Sequence, residues 1–111
     1  MPPGQTDLYH GAVSLVSSSS APHLVLSGEI DLSVAPTLRE SGTEMAKLVA
    51  PGRLEADLGA VTFIDSSGLG ALIALRNAAR QCGAELVLVR VSDTVARFFE
   101  LAGVRDSFNV E

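Results

Sequence analysis

The sequence predicts an α/β domain: a mixed sheet of four to five strands, opened by a β-hairpin, with three to four helices. Three observations predict it. Two apolar strand patterns near the start lie too close together for a crossover, so they must pair antiparallel. Beyond them, strand-like and helix-like apolar patterns alternate, the mark of a partly parallel sheet. Each helical pattern ends in a stop, at Pro51-Gly52, Gly83 and Gly103. At 111 residues the chain fits one domain. It is also long enough to bury a core without metals or disulfides.

Residues 1 to 11 carry Pro2, Pro3, Gly4 and Gly11 and read as a flexible lead-in, with residues 12–111 as the single domain. Residues 12–17, AVSLVS, alternate as a half-buried strand. SSSSAP (17–22) is a turn cluster, and HLVLSGEI (23–30) is the second strand of the hairpin. A helix follows within residues 31–50. Ser33 is its expected N-cap, with Pro36 in the first turn, where a missing N–H is harmless. Val34, Leu38, Met45 and Val49 form its apolar stripe, which Ser41-Gly42-Thr43 interrupts.

The next strand is expected over Leu54–Leu58, then a loop to Phe63-Ile64, with Asp57 near the strand end. The second helix runs from Ser66 to about Gln81 and stops at Cys82-Gly83, with Gly83 in the left-handed conformation. ELVLVRV (85–91) is the most continuous apolar run and reads as a buried parallel strand. The third helix occupies residues 92–103. Ser92 or Asp93 caps it, Val95, Phe98, Phe99 and Ala102 make its stripe, and Gly103 ends it. A last short strand is expected at Phe108–Val110.

Composition narrows the function. The formal net charge is −5, which argues against nucleic acid and anionic membrane surfaces as partners. No stretch approaches the ~18 apolar residues of a membrane span. The first twelve residues lack the basic and apolar regions of a secretory signal. The expected compartment is the cytoplasm. The single cysteine, Cys82, excludes an internal disulfide and a multi-cysteine metal site, and reads as a small buried hydrophobe. Neither a metal nor a cofactor is expected, and no catalytic residues are expected either.

The stretch FIDSSGLG (63–70) holds the chemistry. A strand turning into a helix needs a cap, and Asp65 or Ser66 supplies it. Gly68 and Gly70 fall in the first turn, where glycine weakens a helix by up to about 1 kcal/mol relative to alanine. Close approach is the usual compensation. These glycines therefore either pack the helix tightly or keep its end open. An open helix N-terminus favours phosphate. A serine hydroxyl there could carry a phosphoryl group of about −1.5 to −2 charge. From spacing, Ser66 and Ser67 remain open between capping and phosphorylation. On a helical wheel Gly68, Leu72, Leu75, Ala79 and Cys82 face the core, while Ser66, Ile73 and Asn77 fall on the outer side. Ile73 is either a partner anchor or an ordinary exposed apolar residue.

These residues resemble a known family. FIDSSGLGAL is similar to the signature of the anti-sigma factor antagonists, the small STAS-domain proteins of bacterial partner switching. LSGEIDLSVAPTL (26–38) resembles the family's strand end leading into its first helix, and VSDTVARFFELAGV (91–104) its third helix. The three segments occur in the family's order. The resemblance implies a STAS fold and a role in sigma factor regulation and stress response. It implies that the unphosphorylated antagonist binds an anti-sigma factor, a serine kinase of the histidine-kinase-like ATPase type, and frees the sigma factor. Phosphorylation reverses this, and a phosphatase restores it. The acceptor is the second serine of the pair, Ser67. Asp31, Asp65, Ser66, Gly68 and Leu69 match motif positions that meet the partner, and Glu29 matches the acid two positions before Asp31.

Other readings find less support. His10 and His23 are the only histidines, and no motif sets either beside a serine for a hydrolase triad. There is no P-loop or dinucleotide glycine motif. A receiver domain would want a pair of acids after the first strand. STAS domains also serve as accessory subunits of transport ATPases or of stressosome-like complexes, and that alternative needs no phosphoswitch. The SSSS run reads as a hairpin turn in preference to a second phosphorylation cluster.

Overall fold

A computed structural model describes residues 12–17 and 22–111, with side chains from residue 23 onward. The expected lead-in, His10, the SSSS turn and the side-chain alternation of the first strand lie outside the described residues. The elements are β1 (Ala12–Ser17), β2 (Pro22–Ile30), α1 (Ala35–Val49), β3 (Arg53–Ile64), α2 (Ser66–Gln81), β4 (Glu85–Val89), α3 (Asp93–Ala102) and β5 (Asn109–Val110), with a 3-10 turn at Arg105–Ser107. The sheet order is β1-β2-β3-β4-β5. β1 pairs antiparallel with β2, and every later pair is parallel. The expected mixed sheet and hairpin are therefore present.

The core is aliphatic. One face of the sheet contributes Leu24, Leu26, Leu54, Ala56, Leu58, Leu86 and Leu88, all buried. α1 and α2 pack side by side over it, burying Leu38, Met45 and Ala46 from one helix and Ala71, Leu72, Leu75 and Ala79 from the other. Each fully buried Leu is worth about 1.5–3 kcal/mol. The helix interruption expected at Ser41-Gly42-Thr43 does not occur. Gly42 is buried, and a Cβ there would overlap the Leu75 side chain, so glycine lets the two helices approach.

β3 departs most from expectation. It is one continuous strand of 12 residues, not a short strand plus a loop. His23 to Ile30 of β2 pairs with Glu55 to Ile64 of β3, so eight residues oppose ten. The two extra residues fall between Val25/Ser27 and Gly28/Glu29, and Gly28 takes a φ of +71° at the second shift. Bulges break the alternation of period two, which is why this half reads as a loop in the sequence. Asp57 consequently sits mid-strand beside the first bulge. Its Oδ1 accepts from the Gly59 N–H at 2.9 Å, and its Oδ2 lies 3.4 Å from Arg90 Nε.

Smaller differences have local causes. Ser33 does not cap α1. The N-cap is Val34, without a side-chain bond, and Pro36 is in the first turn as expected. Ser33 bonds Asp31 instead. Of the expected α1 stripe, Val49 is only half-buried. β4 ends at Val89, because Arg90 turns out of the sheet with a φ of +54°. Ala102 is exposed, since the chain leaves the core at Gly103, which has a φ of +72°. Phe108 is not in β5; its ring is buried and stacks on Phe99 at 5.2 Å. Cys82 is half-buried at the C-cap of α2, and Gly83 takes the expected left-handed φ of +88°.

Ser92 fastens the bulged half of β3 to α3. Its hydroxyl donates to the Val61 carbonyl at 2.9 Å and accepts from the Val95 N–H at 3.3 Å, while its own N–H donates to Leu58 O. Ser92→Ala removes both side-chain bonds and should cost about 1–2 kcal/mol in urea unfolding. A loss below measurement error would contradict this double role.

Candidate functional site

The expected site residues come from two adjacent strand ends and one helix start. In the parallel β2–β3 pair, Ile30 stands opposite Ile64. Both are buried. The next residue on each strand is an acid, so Asp31 and Asp65 leave the sheet side by side at its carboxyl edge. Open α/β sheets commonly bind their ligands along this edge.

Asp65 caps α2, and Ser66 does not. The Asp65 backbone is extended (φ −121°), and its Oδ1 accepts from the Gly68 N–H at 2.9 Å. The first intrahelical bond runs from Leu69 N–H to Asp65 O, also 2.9 Å. Ser66 and Ser67 precede both of these bonds. They occupy the first two helical positions, where N–H groups have no intrahelical partner. Ser66 is exposed and Ser67 half-buried. Ile64 and Leu69 hold the positions flanking a cap in a hydrophobic staple, and Leu69 packs against the core.

The two glycines separate. Gly68 is buried, and a Cβ there would stand 2.9 Å from the Ile30 carbonyl carbon and nearer still to its oxygen. Backbone cannot yield as a side chain can, so this position requires glycine. A Cβ on Gly70 would meet nothing within 4 Å. One glycine therefore packs the helix against β2, and the other leaves the helix surface low and open. The packing alternative holds at Gly68, and at Gly70 a side chain would meet no neighbour.

Ile73 is not on the exposed side. It is half-buried and packs against the core, while Ser66 and Asn77 are exposed. It stands about 100° from Leu72 on the wheel, and the buried stripe is wide enough to reach it through Leu69. Two residues near the site escaped sequence reasoning. Leu32, directly after Asp31, is 72% exposed, and Phe63, two residues before Asp65, is 47% exposed. The bulge in β3 sets the face on which Phe63 lies, and no sequence period carries that information. A separate groove lies between α3 and the last strand, lined by Val91, Arg97, Phe99, Arg105, Phe108 and Val110, among others. It contains none of the expected site residues. Among the described residues no cluster of three or more His, Cys, Asp or Glu is arranged to hold a metal. No helix among them is long and apolar enough to cross a membrane.

The two glycines give opposite predictions. Gly68→Ala should destabilise by about 1–3 kcal/mol, because the strand end must shift. Gly70→Ala should be neutral or stabilising by up to about 1 kcal/mol. Thermal unfolding of the pair checks this, and equal effects would contradict the assigned approach to Ile30.

Comparison with known proteins agrees with the fold. The family model described as "Mlab, STAS domain" matches residues 13–110. The anti-sigma-B factor antagonist of Listeria monocytogenes is 34% identical over 88 residues, covering 79% of this chain and 76% of that one. Its counterpart in Staphylococcus aureus is 34% identical over 83 residues, covering 75% and 76%. Among solved structures, an anti-sigma factor antagonist from Mycobacterium paratuberculosis superposes with a TM-score of 0.72 at 25% identity, covering 89% of this chain and 83% of that one. With the match running from β1 through β5, this chain belongs to the STAS domain family.

Proposed function

We propose that this chain is an anti-sigma factor antagonist controlled by phosphorylation at Ser67. The unphosphorylated form binds an anti-sigma factor that is a serine kinase of the histidine-kinase-like ATPase type, and so releases a sigma factor. Phosphorylation of Ser67 ends that complex, and a phosphatase restores it. The protein acts in the cytoplasm as a binding partner, without a cofactor and without catalysis of its own. Asp31, Asp65, Ser66, Ser67, Gly68, Leu69 and Ile73 belong to the partner surface, Leu69 and Ile73 through their exposed halves.

The observation that carries the reading is a hydroxyl, Ser67, in the first turn of a helix that Asp65 caps and that packs on the end of β2, just before Asp31. The relatives' names support it, since both curated relatives cited above are called anti-sigma-B factor antagonists. The charge argument has the right sign. A phosphate on Ser67 adds about −1.5 to −2 near Asp31 and Asp65. In the free protein this charge faces water and the positive end of α2, so the fold tolerates it. In a complex the same charge would be desolvated beside two carboxylates, which opposes binding.

The test is direct. The protein is incubated with anti-sigma factor kinases and ATP, and the modified residue is mapped by mass spectrometry. Label is expected on Ser67 and is lost in Ser67→Ala. Ser67→Asp should unfold within about 1 kcal/mol of wild type, because an acid suits this helix position. It should bind the kinase at least about tenfold more weakly. Binding without any labelling would instead favour an accessory-subunit role for the same surface. Label on Ser66 alone would overturn the assignment of Ser67.

A further inference from the structure

We infer that Leu32 is the apolar anchor of the partner surface, the side chain that the serine kinase buries when it docks beside Ser67. The inference deepens the proposed function and rests on it. Leu32 is 72% exposed and does not pack against the core. The turn around it is closed by backbone, with Val34 N–H donating to Asp31 O at 3.2 Å and Ala35 N–H to Leu32 O at 3.4 Å. Val34 is buried and supplies the apolar contact at the start of α1. Turn positions of this kind favour Asn, Asp, Ser or Gly. Neither the turn nor the core therefore calls for a leucine here.

A single exposed leucine is ordinary on a protein surface. Its place sets this one apart. A Cβ on Gly68 would overlap the Ile30 carbonyl oxygen, so β2 ends against the residue that follows Ser67. Leu32 is two residues further along, which keeps its Cα within about 7.6 Å of the Ile30 Cα. Phe63 is also exposed, but Ile64 is turned toward Gly68, so Phe63 points to the opposite face of the sheet. Leu48 is 74% exposed near the far end of α1, a helix of 15 residues. That puts it about 20 Å from Leu32. Carboxylates and a hydroxyl supply discrimination more than affinity, because each must lose its water. Burying Leu32 adds a favourable contribution that does not depend on charge. Tightness and response to phosphate then rest on different side chains, Leu32 and Ser67.

The test uses the full chain and the serine kinase that labels Ser67. Leu32→Ser should weaken binding about tenfold, and by the same factor at low and high salt. Leu32→Met should bind as the wild type does. Leu48→Ser, the same change at an equally exposed leucine, should leave binding unaltered. In the labelling reaction Leu32→Ser should raise KM about tenfold and leave kcat within about twofold, since Leu32 holds the partner and does not touch the transferred group. Equal binding by Leu32→Ser and Leu48→Ser overturns the proposal. So does a loss that vanishes at high salt, which would trace to the neighbouring Asp31 charge, or a loss confined to kcat. Sedimentation of the chain alone tests the other occupant, a second copy: a dimer that Leu32→Ser dissociates, with kinase binding unchanged, also overturns it. A wild-type chain that binds no such kinase overturns the parent reading, and does so before any variant is compared.

Discussion

The site depends on one close approach, that of Gly68 to the Ile30 carbonyl. β2 and β3 end in register, so the helix that follows β3 must rise directly over the end of β2. A methyl group at residue 68 would push the helix away from the sheet. It would also separate Asp31 from the first turn of α2. With glycine there, two strand ends and a helix start meet within one residue of each other. Backbone packing thereby sets the residues after the two strand ends, Asp31 and Asp65, and the first turn of α2 at one edge of the sheet.

That packing also explains how a poor helix start survives. SSGLG is a weak nucleus, since serine and glycine rank low in helix propensity. Tertiary contact outweighs it. Leu72, Leu75 and Ala79 are fully buried against the sheet and α1, and Gly42 lets α1 come close enough to cover them. The Asp65 cap satisfies the Gly68 N–H, and Leu69 adds an apolar contact one residue later. No described polar or charged residue is buried. The polar chemistry of the described chain is therefore at the surface, where recognition by another protein would find it.

Much of this was legible in the sequence, and what was not has physical causes. The helix stops at Gly83 and Gly103 were readable because left-handed backbone strongly favours glycine. The Ser92 cap was readable, although Asp93 competed with it. The second half of β3 was hidden because two bulges destroy the alternation that marks a strand. The exposure of Phe63 was hidden by the same bulges. Ser33 reads as a helix cap because a serine two residues after an aspartate can serve either the coming helix or the preceding carboxylate. Only the turn geometry decides between them. Gly68 and Gly70 looked alike because the difference between them is a distance to another strand, which local sequence cannot express.

On the proposed reading, this asymmetry between the glycines suits a charge switch better than a refolding switch. Gly68 ties the first turn to β2, so the acceptor hydroxyl and its acids are arranged before any partner arrives. Gly70 leaves the surface beside them low, so a partner can come near the turn without displacing a side chain. A phosphate on Ser67 would meet a helix end that already favours negative charge. The free protein then has little reason to rearrange. The partner has reason to leave, because it would have to bury that charge near Asp31 and beside Asp65, held by its cap bond to the Gly68 N–H. Rigidity sharpens such a switch, since carboxylates that could swing aside would relieve the repulsion they are there to create.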